Sequence, residues 1–339
     1  MRVLITGSSG FIGRHLVRAL QRQGHTVLGL DIRPFDAPRG FAHETILADI
    51  RDRDRMIETF RNYRPEGVLH LAARTDLSED ETIEGYSTNT LGVSVLLEAI
   101  AAAGTVKRAI CTSSQLVCPI GYTPKSADDY CPTTMYGRSK VETERRWRAN
   151  DGAGTSWCIT RPTSVWGPWM YEHYLRFFQM VATGSYVHVG NRSPRRSVGF
   201  VENVAYQFTK LLIAPEEAIN QGVFYMADYT PIELFEWADM FQQSLHASPI
   251  RHVPYWLARS VANMGDLLVV LGVRSFPFTS FRLNNVMTEN VVDLESTRSV
   301  CGELPFSVEE GICLTVAWLG EALPGIAPNV NGGAAELTE

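Results

Sequence analysis

The chain reads as an α/β protein built on a doubly wound parallel sheet, followed by a smaller α/β domain in its C-terminal half. Three observations lead there. Residues 1–31 run strand, glycine turn, helix, strand; apolar runs of strand length then keep alternating with segments of helical spacing; and from Trp166 onward a second, smaller set of sheet-like pieces and helices follows. The expected division is 1–165 for the sheet domain, with a segment returning near 190–210, and 166–189 with 211–325 for the second domain. Residues 326–339, rich in Pro, Asn, Gly and Ala, read as a mobile tail.

The first element sets the chemistry. Val3-Leu4-Ile5 is followed by Gly7, Gly10 and Gly13, and then by Ile12, Leu16 and Leu20 at helical spacing; a second strand, Val27 to Leu30, ends on Asp31. Gly7 permits a tight turn, Gly10 lets backbone N–H groups approach a pyrophosphate, and Gly13 lets the helix lie close to the sheet. The phosphates would face a helix N-terminus, through Phe11 and Ile12 as well as the glycines, where unpaired N–H groups and the helix dipole favour negative charge. Glycine triads arise by chance, but this one has its strand, helix and terminal acid in place. Asp31 would accept both ribose hydroxyls and repel a 2′-phosphate, which selects NAD, although Arg33 nearby could hold that phosphate.

Composition narrows the partners. The 339 residues, 45% of them hydrophobic, suit about two globular domains, and 31 basic against 37 acidic residues leave no basic run for nucleic acid. A small-molecule ligand is expected. The six cysteines show no zinc spacing and read as reduced thiols, so no metal site is expected. A strand that starts at Met1, with no apolar run of about 18 residues, points to a cytoplasmic protein without a membrane span.

After Asp31 the chain passes a Pro- and Gly-marked loop to Asp49, which could accept from an adenine amine or equally cap the next helix. The strand Gly67 to Ala73 ends in small residues, where backbone passes close to a ligand; His70 within it reads as a packed residue, and Arg74 just beyond could meet a phosphate or lie in solvent. Asn89 shares the apolar face of the helix Tyr86 to Ala103 and should be buried and bonded. Ala109 to Ser114 is the next strand. Tyr136 and Lys140, at i and i+4, share one helical face, and the charged remainder from Glu142 to Arg148 looks solvent-facing. A tyrosine becomes a base at neutral pH only if its pKa falls by about three units, roughly 4 kcal/mol of differential stabilisation, which Lys140 and an oxidised nicotinamide could supply. Ser114, at a strand end, would bind the same substrate oxygen. A lone Y-x-x-x-K pair is more often surface packing; the preceding dinucleotide site is what favours the catalytic reading.

These pieces resemble the extended short-chain dehydrogenases/reductases of the NAD-dependent epimerase/dehydratase family, which have a Rossmann-type fold. The matching motifs are TGSSGFIG at Thr6 to Gly13, Asp31, ADI at Ala48 to Ile50, HLAA at His70 to Ala73, NTLG at Asn89 to Gly92, SS-x-x-V ending at Val117, YGRSK at Tyr136 to Lys140, and RPTSVWGP at Arg161 to Pro168. The resemblance implies Tyr136 as acid/base, Lys140 as its partner and ribose contact, and Ser114 as the positioning hydroxyl. It further implies NAD contacts from Asp49, Ile50, Leu71, Ala72, Ala73, Asn89 and Pro162, with Ser164, Arg196 and Arg282 toward a substrate diphosphate, and a homodimer. Two departures stand out. Gln115 and Leu116 occupy the positions of the family dehydratases' Asp-Glu pair and cannot exchange protons at neutral pH, which disfavours dehydration. Ser164 replaces the Asn of many nucleotide-sugar epimerases.

Tyr171, Tyr174, Phe177, Phe178 and Met180 crowd one helix, an aromatic stripe that is usually core. Trp256 to Val273 is strongly apolar and reads as a buried helix, though part of the region also resembles 3β-hydroxysteroid dehydrogenase-like relatives. The leading expectation is a nucleotide-sugar 4-epimerase using tightly bound NAD through a transient 4-keto sugar. A net oxidoreductase on a sugar or apolar alcohol is the alternative, and a non-catalytic dinucleotide sensor is the least favoured.

Overall fold

Seven short runs rich in Val, Ile and Leu form one parallel sheet in the computed structural model of the chain, which describes residues 1–35, 43–77, 82–170, 175–271, 273 and 278–322. The strands are β1 (Arg2–Thr6), β2 (Thr26–Asp31), β3 (Glu44–Leu47), β4 (Gly67–His70), β5 (Arg108–Thr112), β6 (Ser156–Pro162) and β7 (Val223–Met226), in spatial order β7-β6-β5-β4-β1-β2-β3. The five inner strands are almost wholly buried, as a sheet covered on both faces requires, whereas the edge strands β3 and β7 are only partly so. Strand order reverses between β1 and β4, where Thr6 stands level with both Leu30 and His70. That switch point opens a crevice at the carboxyl ends of the strands.

Helices α1 (Phe11–Arg22), α2 (Arg53–Tyr63), α3 (Ser87–Ala103), α4 (Met135–Ala149) and α5 (Val201–Ile213) flank the sheet. Phe60 of α2, Leu96 and Ile100 of α3 and Trp147 of α4 meet Leu4, Leu28, Val68, Ala109 and Ile159 in one apolar cluster. Local chemistry sets the helix ends. The Asp52 side chain accepts from Arg55 N–H to start α2, Thr134 accepts from Gly137 N–H to start α4, and Gly104 closes α3 at φ +61°. The helix cap is thus Asp52 and not Asp49.

The chain divides into two compact units: residues 1–165, 199–229 and 292–305, and residues 166–198, 230–291 and 306–339. Sequence reading took the returning segment as 190–210 and missed 292–305. That second return carries the helix Glu295–Cys301, where Thr297 Oγ1 donates to the Tyr225 carbonyl of β7 at 2.7 Å. The expected tail at 326–339 lies outside the described residues.

In the second unit the aromatic residues are core: Phe178 is fully buried and Phe177 stacks on Trp237 at 4.9 Å, while Tyr171 and Tyr174 lie outside the described residues. The expectation of a buried apolar helix is corrected here. The helix Tyr255–Val270 packs through the small stripe Ala258, Ala262 and Gly265, near Leu283 of the helix Ser280–Met287, and leaves its large side chains outside, with Trp256 69% exposed. Among the described residues no helix is long and apolar enough to cross a membrane.

Candidate active site

The glycine turn after β1 is tight for reasons internal to the fold at two of its three glycines. Gly7 sits at φ +75°, and a Cβ there would stand 2.6 Å from Ala72 N at the end of β4. At Gly13 a Cβ would meet the Gly7 carbonyl oxygen at 2.2 Å. Gly10 differs, since a Cβ would approach only the Gly7 oxygen, at 3.1 Å. Its missing side chain serves whatever lies against the loop.

Gly10 is also the N-cap of α1 and supplies no side-chain cap to the first-turn N–H groups. Asp31, at the tip of β2, accepts from Ser9 N–H at 2.9 Å and Arg33 N–H at 3.0 Å, one bond to each oxygen. Each carboxylate oxygen keeps a further lone pair, in an orientation fixed by the loop. The bare helix start, the open glycine and the pre-set acid fit a dinucleotide. Gly13→Ala should cost about 1–3 kcal/mol of stability by forcing helix from strand. Gly10→Ala should leave the melting temperature nearly unchanged and instead weaken NAD binding, a contrast that thermal melts with and without NAD will show.

On the far side of β4, Ser114 follows β5, and its Oγ accepts from Leu116 N–H at 3.1 Å. The Ser114 hydroxyl lies near enough to the Tyr136 phenol to favour its ionised form. Gln115 and Leu116 lie in the 3-10 turn Gln115–Val117, and the Leu116 carbonyl comes so near α4 that a Cβ on Gly137 would stand 2.3 Å from it. The glycine after Tyr136 therefore lets the helix start lie against the serine turn. Lys140, one turn on, donates from Nζ to the Thr112 carbonyl at 2.9 Å and lies 6.0 Å from the centroid of the Tyr136 ring. Its ammonium retains two further donors.

Both side chains are buried, and burial dominates their titration. Tyr136 is pushed up to about 12 by burial, against the Ser114 hydroxyl, and Lys140 is pulled down to about 8 by burial. The lowered phenol expected from the sequence is not produced by the protein groups alone, because desolvation outweighs a lysine turned toward Thr112. His70 is a packed neutral residue: burial and Lys140 pull it down to about 3, Thr6 Oγ1 shares its Nδ1 at 2.8 Å, and Trp147 stacks on its ring.

Asn89 is spent on structure. Its amide accepts from Arg74 N–H and donates to the Arg74 carbonyl and to Ser139 Oγ, which in turn donates to the Tyr136 carbonyl, so it ties the Arg74 segment to α4. Arg74 holds Asp76 and the Gly85 carbonyl and covers the Tyr86 ring. Asp49 grips Arg51, whose other nitrogen reaches Ser87. Ile50 is buried under Gly92. Leu71 N–H bonds the Thr6 carbonyl, Pro162 ends β6, and Ser164 opens the short strand Ser164–Trp166. Of the residues singled out for the substrate diphosphate, Arg196 and Arg282 belong to the second unit. Arg196 donates to the Asn285 and Val286 carbonyls at the end of the helix Ser280–Met287, and Arg282 lies exposed in that helix's first turn. Among the described residues no cluster of three metal-ligating side chains occurs.

Sequence reading missed Glu144 and Arg161. Glu144, taken as solvent-facing, is fully buried and bidentate with Arg161, Nε to Oε1 and Nη2 to Oε2 both at 2.8 Å. Tyr130 Oη donates to Glu144 Oε2 at 2.8 Å, and Arg161 reaches the Ala127 carbonyl. Burial works against the Arg161 charge, but Glu144 outweighs it and raises the guanidinium pKa. The signal was present in the sequence: Tyr136, Lys140, Glu144 and Trp147 form one helical stripe, and a stripe that starts buried continues buried.

A family model described as NAD dependent epimerase/dehydratase family matches residues 3–227. The chain is 29% identical over 252 residues to a Mycobacterium tuberculosis 3 beta-hydroxysteroid dehydrogenase/Delta 5-->4-isomerase, covering 70% of this chain and 67% of that one. It is 23% identical over 323 residues to the N-acetyl-alpha-D-glucosaminyl-diphospho-ditrans,octacis-undecaprenol 4-epimerase of Escherichia coli O157:H7, covering 93% and 94%. Among solved structures, the Thermus thermophilus UDP-glucose 4-epimerase in complex with NAD matches with a TM-score of 0.73 at 22% identity, over 95% of this chain and all of that one.

Proposed function

Because the chain belongs to the NAD dependent epimerase/dehydratase family and so is an NAD-using enzyme of the extended short-chain dehydrogenase/reductase type, we propose a reaction at a secondary hydroxyl. The substrate is a sugar carried on a diphosphate, and the reaction is inversion at C4 through a transient keto sugar. The observation that carries this reading is the convergence of Ser114, Tyr136 and Lys140 beside the switch point of the sheet.

Ser114 would orient the substrate hydroxyl by hydrogen bonding. Tyr136 would then take that hydroxyl's proton and return it at the end. Lys140, fixed by Thr112, would hold positive charge beside the phenol and offer its remaining donors to a ribose. NAD, when bound, supplies hydride acceptance and return, with its pyrophosphate along Gly10 to Gly13 and its ribose on Asp31. The absence of a carboxyl side chain at positions 115 and 116 supports inversion or oxidation over loss of water. The 4-epimerase likeness across 93% of the chain, second unit included, supports the sugar substrate.

A second reading is net oxidation of an apolar alcohol. It is favoured by the steroid dehydrogenase likeness and by the commitment of Arg196 to helix carbonyls rather than to an open site. One experiment separates the two. Purified protein is analysed by mass spectrometry for retained NAD, then offered sugar nucleotides, lipid-linked sugar diphosphates and a 3β-hydroxysteroid, with and without added NAD. Retained NAD and sugar interconversion without added cofactor is the expected result. Stoichiometric NADH formed with the steroid, and no sugar turnover, would replace the first reading by the second.

A further inference from the structure

The helix Tyr255–Val270 turns Trp256, Leu257, Val261, Met264, Leu267 and Leu271 outward, each between 42% and 71% exposed. By their spacing they share one side of the helix, on which Ser260 and Asn263 are the only polar residues and no charge occurs. Sixteen helical residues make this strip about 24 Å long. Its two ionic residues lie at the flank and are held by the neighbouring helix segment: Arg259 donates to Asn284, and Asp266 accepts from Ser280 N–H. Phe281 and Val286 of the helix Ser280–Met287 are also 46% and 44% exposed. Contiguous apolar surface of this kind marks an interaction site.

Charge identifies the occupant. Residues 246–288 contain four arginines (251, 259, 274, 282), two histidines and one acid, Asp266, a net +3 with the histidines neutral. The rest of the chain carries 27 basic and 36 acidic residues, a net −9. This strongly apolar exposed helix therefore sits in a stretch of net positive charge within an acidic protein, with a tryptophan at its start. We propose that this face of the second unit docks onto an anionic membrane surface, the helix lying in the headgroup plane with its apolar side in the acyl boundary and Arg251, Arg259 and Arg282 toward lipid phosphates. A second copy of the chain would bring the same net positive stretch against itself, which opposes self-association there. The proposal concerns attachment and holds for either substrate reading.

Flotation of the full-length protein with vesicles of phosphatidylcholine, with and without about 30% phosphatidylglycerol, tests it. The expected result is flotation with anionic vesicles, weakened by salt, and little with phosphatidylcholine alone. Leu267→Glu with Leu271→Glu should abolish flotation, and Arg251→Ser should weaken it roughly fivefold. Vesicles of brominated lipid give a readout that needs no disruptive change: Trp256→Phe should still float while losing the quenching of fluorescence seen in the parent. Failure of the parent to float with anionic vesicles overturns the proposal. So does undiminished flotation of the double variant, or a change in its solution mass, which would assign the face to a second copy.

Discussion

Tyr136→Phe should lower the rate of the chemical step by about 10³-fold, within the 10²–10⁴ range typical of a positioned proton-transfer group, while leaving the NAD content of the purified protein unchanged. The ring would remain packed near Tyr86, and only the hydroxyl near Ser114 is lost. Single-turnover formation of reduced cofactor is the measurement, because it isolates chemistry from product release. The loss should appear in kcat and kcat/KM alike. With burial outweighing the Ser114 hydroxyl the phenol stands at about 12, so the parent enzyme works near neutral pH only to the extent that cationic charge beside the phenol offsets that burial. Lys140→Met, which removes one such charge, should therefore move the ascending limb of the rate profile, on which the phenol loses its proton, to higher pH. Parent-like rates in Tyr136→Phe would move the proton-transfer role to another residue.

Glu144→Ala should destabilise the protein by about 3–5 kcal/mol, the usual cost of leaving a buried partner charge uncompensated. Arg161 would keep its guanidinium in an environment where it is 1% exposed, with only the Ala127 carbonyl and the Tyr225 hydroxyl to satisfy it. Chemical denaturation is the measurement. Replacing both residues by methionine should recover part of the loss, since apolar pairs of similar volume often match a buried ion pair. If the single and double variants are equally unstable, the pair matters for its shape and not its charge.

The first 31 residues were legible because their signals are local. Gly7 is required by its positive φ and Gly13 by a contact within the turn itself, and the strands on either side announce themselves by β-branched and leucine runs. Tyr136 and Lys140 were legible for the same reason, one helical turn apart. What the sequence concealed depends on partners distant in the chain. Asp49 and Asp52 are both plausible caps until the structure gives Arg51 to one and Arg55 to the other. Arg196 is as good a phosphate ligand on paper as any arginine, but the carbonyls at the end of a helix 89 residues further on claim it. The apolar helix at 255–270 looked buried by composition, whereas small residues alone are enough to pack it, and the large ones are left outside.

The division of the chain bears on how it can be made. It passes between the two units five times, after Val165, Val198, Tyr229, Val291 and Pro305. Strand β7, residues 223–226, completes the sheet only after the whole of the second unit's first segment has been synthesised, and the Glu295–Cys301 helix arrives later still. A nascent chain on the ribosome must hold an unfinished sheet edge at β6 until then, a stage open to chaperone capture and to strand-mediated aggregation. No single cut yields either unit whole, so gene truncation will not yield the cofactor-binding half as an independent protein.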